Sequence, residues 1–255
     1  MSKSKSLKDH LIYLSNCQTM EELWNAHCAK MAEYGFDRIM YGFTYFRSGQ
    51  SLGDPDDAIV LSNHSKEYTD IFVGQKNFSH SPMMNWALQN EGAGSWNMLK
   101  PMSDAGMLTP DELRVYEINQ KMGVTAGYTI SFKSVSPRSK GVISLTAERG
   151  LSQDEVDACW AEHGKDILLM NNVAHLKILT LPYHSPTRSL TPRQREALEW
   201  VGDGKTTQDI AILMNLTPGT VEKHLRLARE VLSVETTAQA VLKAAFANQM
   251  FIMDR

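Results

Sequence analysis

The sequence predicts an α+β protein with two domains: an N-terminal α/β/α sandwich, in which helices flank an antiparallel sheet, and a small all-α domain after it. Three observations support this prediction. Helix starts and strands intermingle over residues 1–176, residues 177–189 contain two prolines and no regular period, and residues 190–255 show only helical periodicity. We therefore expect a first domain at 1–176, a linker at 177–189 and a second domain at 190–255.

Capping boxes mark helix starts in the first domain, because a hydroxyl and a carboxylate three residues apart satisfy backbone N–H groups. Thr19 with Glu22 opens a helix expected to end near Gly35, and Ser152 with Glu155 opens a longer one. The longer helix carries an apolar stripe at spacings of three and four: Val156, Trp160, His163, Ile167, Met170 and Ala174. Such a helix either covers a sheet or pairs with another copy of itself.

Four segments between these helices predict strands. Apolar residues alternate over 39–46, 58–61 is a short apolar run, and 127–133 and 141–147 read as two strands joined by Ser-Pro-Arg-Ser. A further helix is expected from Thr109, since Pro110 fits the first helical position without losing a hydrogen bond.

Composition and charge limit the class of protein. The chain has 255 residues with 42% hydrophobic and 22% charged residues, which allows a packed interior. It has no apolar run of about 18 residues and no signal-peptide core at its start, so a cytoplasmic protein is expected. Its three cysteines show no metal-ligand spacing, and we expect no metal. The net charge is −3, with nine basic and eight acidic residues from Arg188 onward, so charge alone predicts no nucleic-acid binding.

The second domain has the pattern of a helix-turn-helix. Thr191 caps a first helix, Thr206 caps a short one with Ile210, Ala211, Leu213 and Met214 inside, and Thr217 caps a third after a tight turn. Two short helices joined in this way can rest one helix on the phosphates and insert the other into the major groove. The alternative is a three-helix packing unit with a solvated basic side.

Polar and basic residues near the third helix are the candidate DNA contacts. Small or polar groups near its start would face base edges, and basic groups would meet phosphates. The candidates are Lys205, Thr217, Gly219, Thr220, Glu222, Lys223, His224, Arg226 and Arg229.

The segment from Leu190 to Leu232 resembles the DNA-binding domain of the LuxR family. The shared positions include Thr191, Glu196, Gly204, Ile210, Ala211, Leu213, Thr220, Val221 and His224. Gln194 replaces the usual Glu of the pattern, but an amide can still close the capping box.

LuxR-type domains follow several kinds of input domain: a phospho-acceptor receiver, a small-molecule pocket or an oligomerisation domain. A receiver would open with a strand, whereas this chain opens with two helices. Residues 61–96 resemble instead the acyl-homoserine-lactone-binding domain of the quorum-sensing subfamily, in the spacing of Tyr68, Phe72, Ser81-Pro82 and Trp96. The segments at 123–127 and 141–144 resemble later parts of the same pattern.

The resemblance implies ligand-binding roles for six residues: His64, Tyr68, Phe72, Ser81, Trp96 and Ser144. In the family an aspartate accepts the ligand's amide N–H, but Ser81 is neutral, a loss of roughly 1–2 kcal/mol if nothing replaces it. Phe72 carries no hydroxyl. We therefore expect either a ligand other than an ordinary N-acyl homoserine lactone, or such a lactone held by rearranged contacts. The alternative is that Tyr68, Phe72 and Trp96 are core aromatic residues.

The expected function is a ligand-responsive transcriptional regulator whose partners are double-stranded DNA, a small signal molecule, a second copy of the chain and RNA polymerase. The 152–176 stripe and the last helix, Thr237 to Met250, are candidate dimer surfaces unless they are buried within one protomer. A rival is a ligand-independent regulator or anti-activator that acts by heterodimerisation. No GxSxG, GxxxxGK[ST] or GxGxxG motif occurs, and we expect neither an enzyme nor a cofactor beyond the signal ligand.

Overall fold

The computed structural model describes residues 6–49, 51–183, 185 and 188–251. Three residues of the predicted linker, His184, Pro186 and Thr187, lie outside these ranges. The chain divides into two compact units, Met1–Gly53 with Val60–Leu179 and Asp54–Ile59 with Thr180–Arg255. In the described ranges, no helix has both the length and the apolar character that a membrane crossing requires.

The first unit combines helices with a sheet. Its helices are α1 (Leu7–Asn16), α2 (Met20–Ala32), α3 (Lys66–Thr69), α4 (Pro82–Gln89), α5 (Leu99–Asp104), α6 (Pro110–Lys121) and α7 (Gln153–Ile178). Its strands are β1 (Arg38–Thr44), β2 (Ile59–Ser62), β3 (Gly92–Ser95), β4 (Gly127–Ser131) and β5 (Lys140–Thr146). The strands form one sheet in the order β2-β1-β5-β4-β3, and the pairs β1–β5, β5–β4 and β4–β3 are antiparallel.

One face of the sheet is covered by the long helix α7. Tyr128 of β4 stacks on Trp160 with ring centroids 3.9 Å apart, and Phe132 stacks on His175 at 4.1 Å. The hydroxyl of Tyr41 in β1 also reaches Nδ1 of His175, at 2.8 Å. Packing of α7 against α1, α2 and the sheet, all within one protomer, accounts for the buried stripe residues Val156, Ile167, Met170 and Ala174. His163, on the same stripe, has a side chain that is 40% exposed.

The opposite face of the sheet lies under the shorter helices. Side chains alternate across a strand, so Met40, Thr129, Ser131 and Ser144 point away from α7. Ser131 donates a hydrogen bond of 2.8 Å to the carbonyl of Ala87 in α4. Helices on both faces of the antiparallel sheet confirm the predicted α/β/α sandwich.

Strand β3 was not predicted, because Gly-Ala-Gly-Ser contains none of the branched or aromatic residues that indicate a strand. Gly94 has a packing reason: a Cβ added there would lie 2.8 Å from the indole ring of Trp86. Helix α2 ends at Ala32, three residues before the predicted end, and Gly35 follows with a φ of 83°.

The second unit is helical, with α8 (Pro192–Gly202), α9 (Thr207–Leu213), α10 (Pro218–Val231) and α11 (Thr237–Phe246). Capping boxes at Thr191 and Thr206 open α8 and α9 as predicted. The core includes Leu198, Ile210, Val221 and Leu225. One predicted core position is wrong: Leu213 is 49% exposed, and Met214 occupies the buried site next to it.

Residues 54–59 belong to this second unit, although the sequence placed them in the first domain. Asp54 and Asp57 both pair with Arg188, a residue of the predicted linker that is 8% exposed. Lys243 of α11 adds a contact of 2.7 Å between its Nζ and the Asp57 carboxylate. These ion pairs attach residues 54–59 to the second unit. The sequence prediction missed this because it relied on the pattern of apolar residues.

A buried histidine should make the first unit sensitive to acid. His27 is fully buried, its Nε2 lies 3.0 Å from Oδ1 of Asn171, and burial lowers its pKa to about 4. The unfolded chain binds a proton near pH 6.5, so stability is complete above that pH and falls as the pH approaches 4.

We expect His27 to contribute about 2 kcal/mol to the loss of unfolding free energy between pH 7 and pH 5. In His27→Gln, which keeps an N–H donor for Asn171, urea unfolding at the two pH values should show a loss smaller by that amount. An equal loss in the wild type and the variant would contradict the assignment.

Candidate ligand pocket and nucleic-acid interface

Three of the predicted ligand residues form a stacked row. The rings of His64 and Tyr68 lie 4.6 Å apart at 27°, and those of Tyr68 and Phe72 lie 5.4 Å apart at 12°. Tyr68 lies in α3, Phe72 lies in the helical turn Asp70–Gly74 that follows it, and His64 joins the row from just before the N-cap residue Ser65. Tyr68 is 5% exposed, so the middle of the row is buried.

The Tyr68 hydroxyl has a partner that the sequence did not predict. It donates a hydrogen bond of 2.9 Å to Oδ1 of Asn119 in α6. Burial raises the pKa of Tyr68, so the hydroxyl stays protonated and is a donor. Asn119 lies 51 residues further along the chain, in a helix whose sequence predicts its helical structure but not a contact with Tyr68.

Trp96 and Ser144 are both neighbours of Thr129 on the sheet. The indole N–H of Trp96 donates a hydrogen bond of 2.9 Å to the Thr129 hydroxyl, and Thr129 is paired with Ser144 across β4 and β5. Met40 of β1 lies on the other side of Ser144. Thr129 was not among the predicted ligand residues, because threonine is common in strands and its presence in β4 indicates no further role.

His64 lies at the edge of this group and is neutral near pH 7. Burial, with the nearby charge of Arg38, lowers its pKa to about 4. Its Nε2 is 3.5 Å from the Thr146 hydroxyl, at the limit of a hydrogen bond. A neutral imidazole can donate from one nitrogen and accept at the other, so His64 can meet either kind of ligand atom.

Ser81 precedes α4, with Pro82 at the first helical position, and it is 7% exposed. Its hydroxyl makes no capping hydrogen bond to the first turn of α4. It differs in this from Thr109, whose hydroxyl caps α6.

Apolar side chains join these polar groups into one cluster. Tyr68, Trp96, Met83 and Val124 are its buried members. The partly buried side chains packed against them are Met40, Phe72, Trp86, Met98, Leu99 and Met122. Four of the ten members are methionines, whose unbranched side chains adapt to irregular shapes.

The helix-turn-helix exposes α10 along one side. Thr217 caps the helix, its hydroxyl lies 2.9 Å from that of Thr220, and both lie at the solvent-facing start. Gly219 and Lys223 are exposed, and so is Lys205 before α9. His224 is partly buried in the same helix. Asn215 adopts a φ of 54° in the turn between the two helices, a conformation that asparagine tolerates better than most residues.

Three of the predicted DNA contacts are engaged within the unit. Glu222 accepts a hydrogen bond of 2.9 Å from Thr207 in α9, and Arg226 pairs with Glu230 on the exposed side of α10. Arg229 donates to the Thr237 hydroxyl at 2.8 Å, which joins α10 to α11. Glu222 and Arg229 therefore help to hold the helices together, a role that helix periodicity does not reveal.

Comparisons with known proteins cover both units. The profile of the autoinducer binding domain matches residues 19–178, and that of sigma-70 region 4 matches residues 187–232. The chain is 23% identical over 229 residues to the transcriptional activator protein AnoR of Acinetobacter nosocomialis, covering 88% of this chain and 90% of AnoR. It is also 23% identical over 232 residues to the transcriptional activator protein LuxR of Aliivibrio fischeri, covering 86% and 80%.

Solved structures share the fold. Escherichia coli SdiA matches with a TM-score of 0.50 and 16% identity over 96% of this chain and 98% of that one. CepR2 of Burkholderia cenocepacia, an N-acylhomoserine lactone dependent LuxR family transcription factor, matches with a TM-score of 0.51 and 17% identity over 67% and 92%. The autoinducer profile spans more than half of the chain, and a helix-turn-helix follows it. The chain therefore belongs to the LuxR family of transcriptional regulators, with an autoinducer-binding domain and a DNA-binding domain.

Proposed function

We propose that this regulator binds one small signal molecule in the cluster around Tyr68 and Trp96, and reads DNA with the exposed side of α10. The main support is that His64, Tyr68 and Trp96 lie together at one cluster of apolar side chains on one face of the sheet. A ligand that binds only the folded domain stabilises it by mass action. Signal concentration would in this way control the amount of active regulator.

The ligand class follows from the polar groups in the pocket. Ser81 can exchange only a neutral hydrogen bond with a ligand amide, whereas Asn119 and the neutral His64 each offer both donors and acceptors. The pocket thus suits an acyl-homoserine lactone held by rearranged contacts, or a related small molecule whose head group has no need of a carboxylate. The related protein CepR2 is described as N-acylhomoserine lactone dependent.

A homodimer would place two α10 helices on half-sites about one helical turn apart, on a near-palindromic operator. Helix α11 offers one surface for this contact, since Ala238, Leu242 and Ala245 are exposed on one side of it. On α7, Leu169 and Leu176 are 45% and 65% exposed and lie seven residues apart, on the side away from the sheet. RNA polymerase would be the partner of the DNA-bound form, as for any activator of transcription.

A second function has one observation in its favour. The Tyr68 and Trp96 donors are already paired, with Asn119 and Thr129. A pocket whose polar groups are satisfied internally suits a ligand-independent regulator or an anti-activator that works by heterodimerisation. In either case we propose a regulator rather than an enzyme, acting in the cytoplasm where chromosomal DNA is found.

The missing carboxylate gives a direct test of the ligand class. Ser81→Asp should strengthen binding of N-acyl homoserine lactones by about tenfold, because a charge-assisted bond to the ligand amide is restored. Calorimetry on the full chain should measure this, because an Asp at an N-cap also stabilises the helix and would bias a melting assay. Ser81→Ala is the matched control and should change affinity little. Unchanged affinity for N-acyl homoserine lactones in Ser81→Asp would contradict the proposed place of Ser81 beside the ligand amide.

Measurements of DNA binding by two variants can distinguish phosphate contacts from base contacts. The purified chain alone should shift a palindromic DNA. Lys223→Gln should weaken binding to all sequences and lower the salt slope by about 0.9, since one phosphate contact is lost. Thr220→Ala should change sequence preference and leave the salt slope intact. Equal effects of both substitutions on both quantities would contradict this docking, and a shift that needs a second regulator would favour the heterodimer.

Arg229 should behave differently from Lys223. Arg229→Gln removes the bond to Thr237 and should lower the unfolding free energy by about 1 kcal/mol. Lys223→Gln should leave it within about 0.5 kcal/mol of the wild type, because Lys223 is exposed. Denaturant unfolding of the full chain, followed by circular dichroism, measures both, and equal stability of the two variants would show that Arg229 has no structural role.

A further inference from the structure

A polar cleft lies in the first unit, separate from the aromatic cluster. It has a volume of about 320 Å³ and lies between Arg47 after β1, the end of α4 at 88–91, and the loop from Ser134 to Lys140 that joins β4 to β5. None of the six predicted ligand residues lines it. Its volume is at the lower end of the range for small-molecule sites.

Two cationic side chains line this cleft without an anionic partner. Lys140 is 6% exposed, and its Nζ donates to the Asn90 carbonyl at 3.3 Å. Arg47 donates to the carbonyls of Gly49 at 3.1 Å and Leu88 at 3.2 Å. Neither cation forms an ion pair with a carboxylate in the described part of the chain. Glu91, an exposed carboxylate, also lines the cleft but pairs with neither cation in the described part of the chain, so the cleft keeps a net positive charge.

Stabilisation of a helix end explains part of this arrangement. Leu88 and Asn90 lie at the C-terminal end of α4, where a cation interacts favourably with the helix dipole. One cation would suffice for that purpose. Here the second charge opposes the first, because burial and the charge of Arg47 both lower the pKa of Lys140, and only the exposed Glu91 acts in the other direction.

We propose that this cleft is a second ligand site, which binds the phosphate group of a small metabolite between Arg47 and Lys140. Arg47 keeps guanidinium N–H groups free of the two carbonyls, and an arginine fork matches phosphate oxygens well. The Ser136 hydroxyl accepts the backbone N–H of Arg138 at 3.1 Å, so its own hydrogen remains available to the ligand. Ser134 lines the cleft beside it. Several donors around one cavity favour a tetrahedral oxyanion over a carboxylate.

Calorimetry on the full chain at constant ionic strength tests the site with inorganic phosphate, glycerol phosphate, acetate and glycerol. Inorganic phosphate should bind with a Kd of about 1 mM and glycerol phosphate more tightly, whereas acetate and glycerol should not saturate. Lys140→Met and Arg47→Gln should each weaken phosphate binding by about tenfold or more. Lys133→Met, an exposed lysine outside the cleft, is the control and should bind as the wild type does.

Several results would overturn the proposal: no saturable phosphate binding to the wild type, equal binding of acetate, or the same weakening in Lys133→Met. Should Lys140→Met fail to fold, Arg47→Gln and chemical labelling of the wild type still decide the question. Phosphate should protect Lys140 from acylation, detected by mass spectrometry of its peptide, and unchanged labelling would count against the site. The test is independent of DNA binding and of the aromatic cluster.

Discussion

The packing of α7 against one face of the sheet is the constraint on which the first unit depends. Two flat ring contacts, Tyr128 with Trp160 and Phe132 with His175, fix the helix across β4. Each large apolar side chain buried there, such as Ile167 or Met170, contributes about 1.5–3 kcal/mol. Since one long helix and its neighbours close that face, the other face is left to short helices. Short helices joined by turns cover a sheet less continuously, and the apolar cluster with its polar groups lies under them.

Local chemistry made much of this fold predictable. Capping boxes at Thr19, Ser152 and Thr191 mark helix starts because their hydrogen bonds need no tertiary partner. Strand β3 was missed because Gly94, which is unusual in a strand, is present to leave room for the Trp86 ring. That contact exists only in the folded protein. Leu213 was expected to be buried together with Met214, because both are apolar and only packing decides which of them is buried.

The candidate pocket was predictable where spacing carries information, and not elsewhere. Tyr68 and Phe72 lie four residues apart in one helical segment, so their stacking follows from the sequence, whereas His64 joins them from the bend before α3. Asn119 and Thr129 come from distant elements and became visible only as hydrogen-bond partners. Each of these bonds contributes a net 0.5–1.5 kcal/mol or so in a folded protein. A bound molecule must therefore offer contacts of at least similar strength if it is to displace them.

Gly94 links an edge strand to the site proposed for the signal molecule. The absence of its side chain leaves room for the ring of Trp86, which rests against the same apolar cluster as Tyr68 and Trp96. A methyl group at that one position would collide with the indole, so the edge of the sheet constrains where the Trp86 ring can lie. A residue outside the aromatic cluster thereby takes part in shaping it.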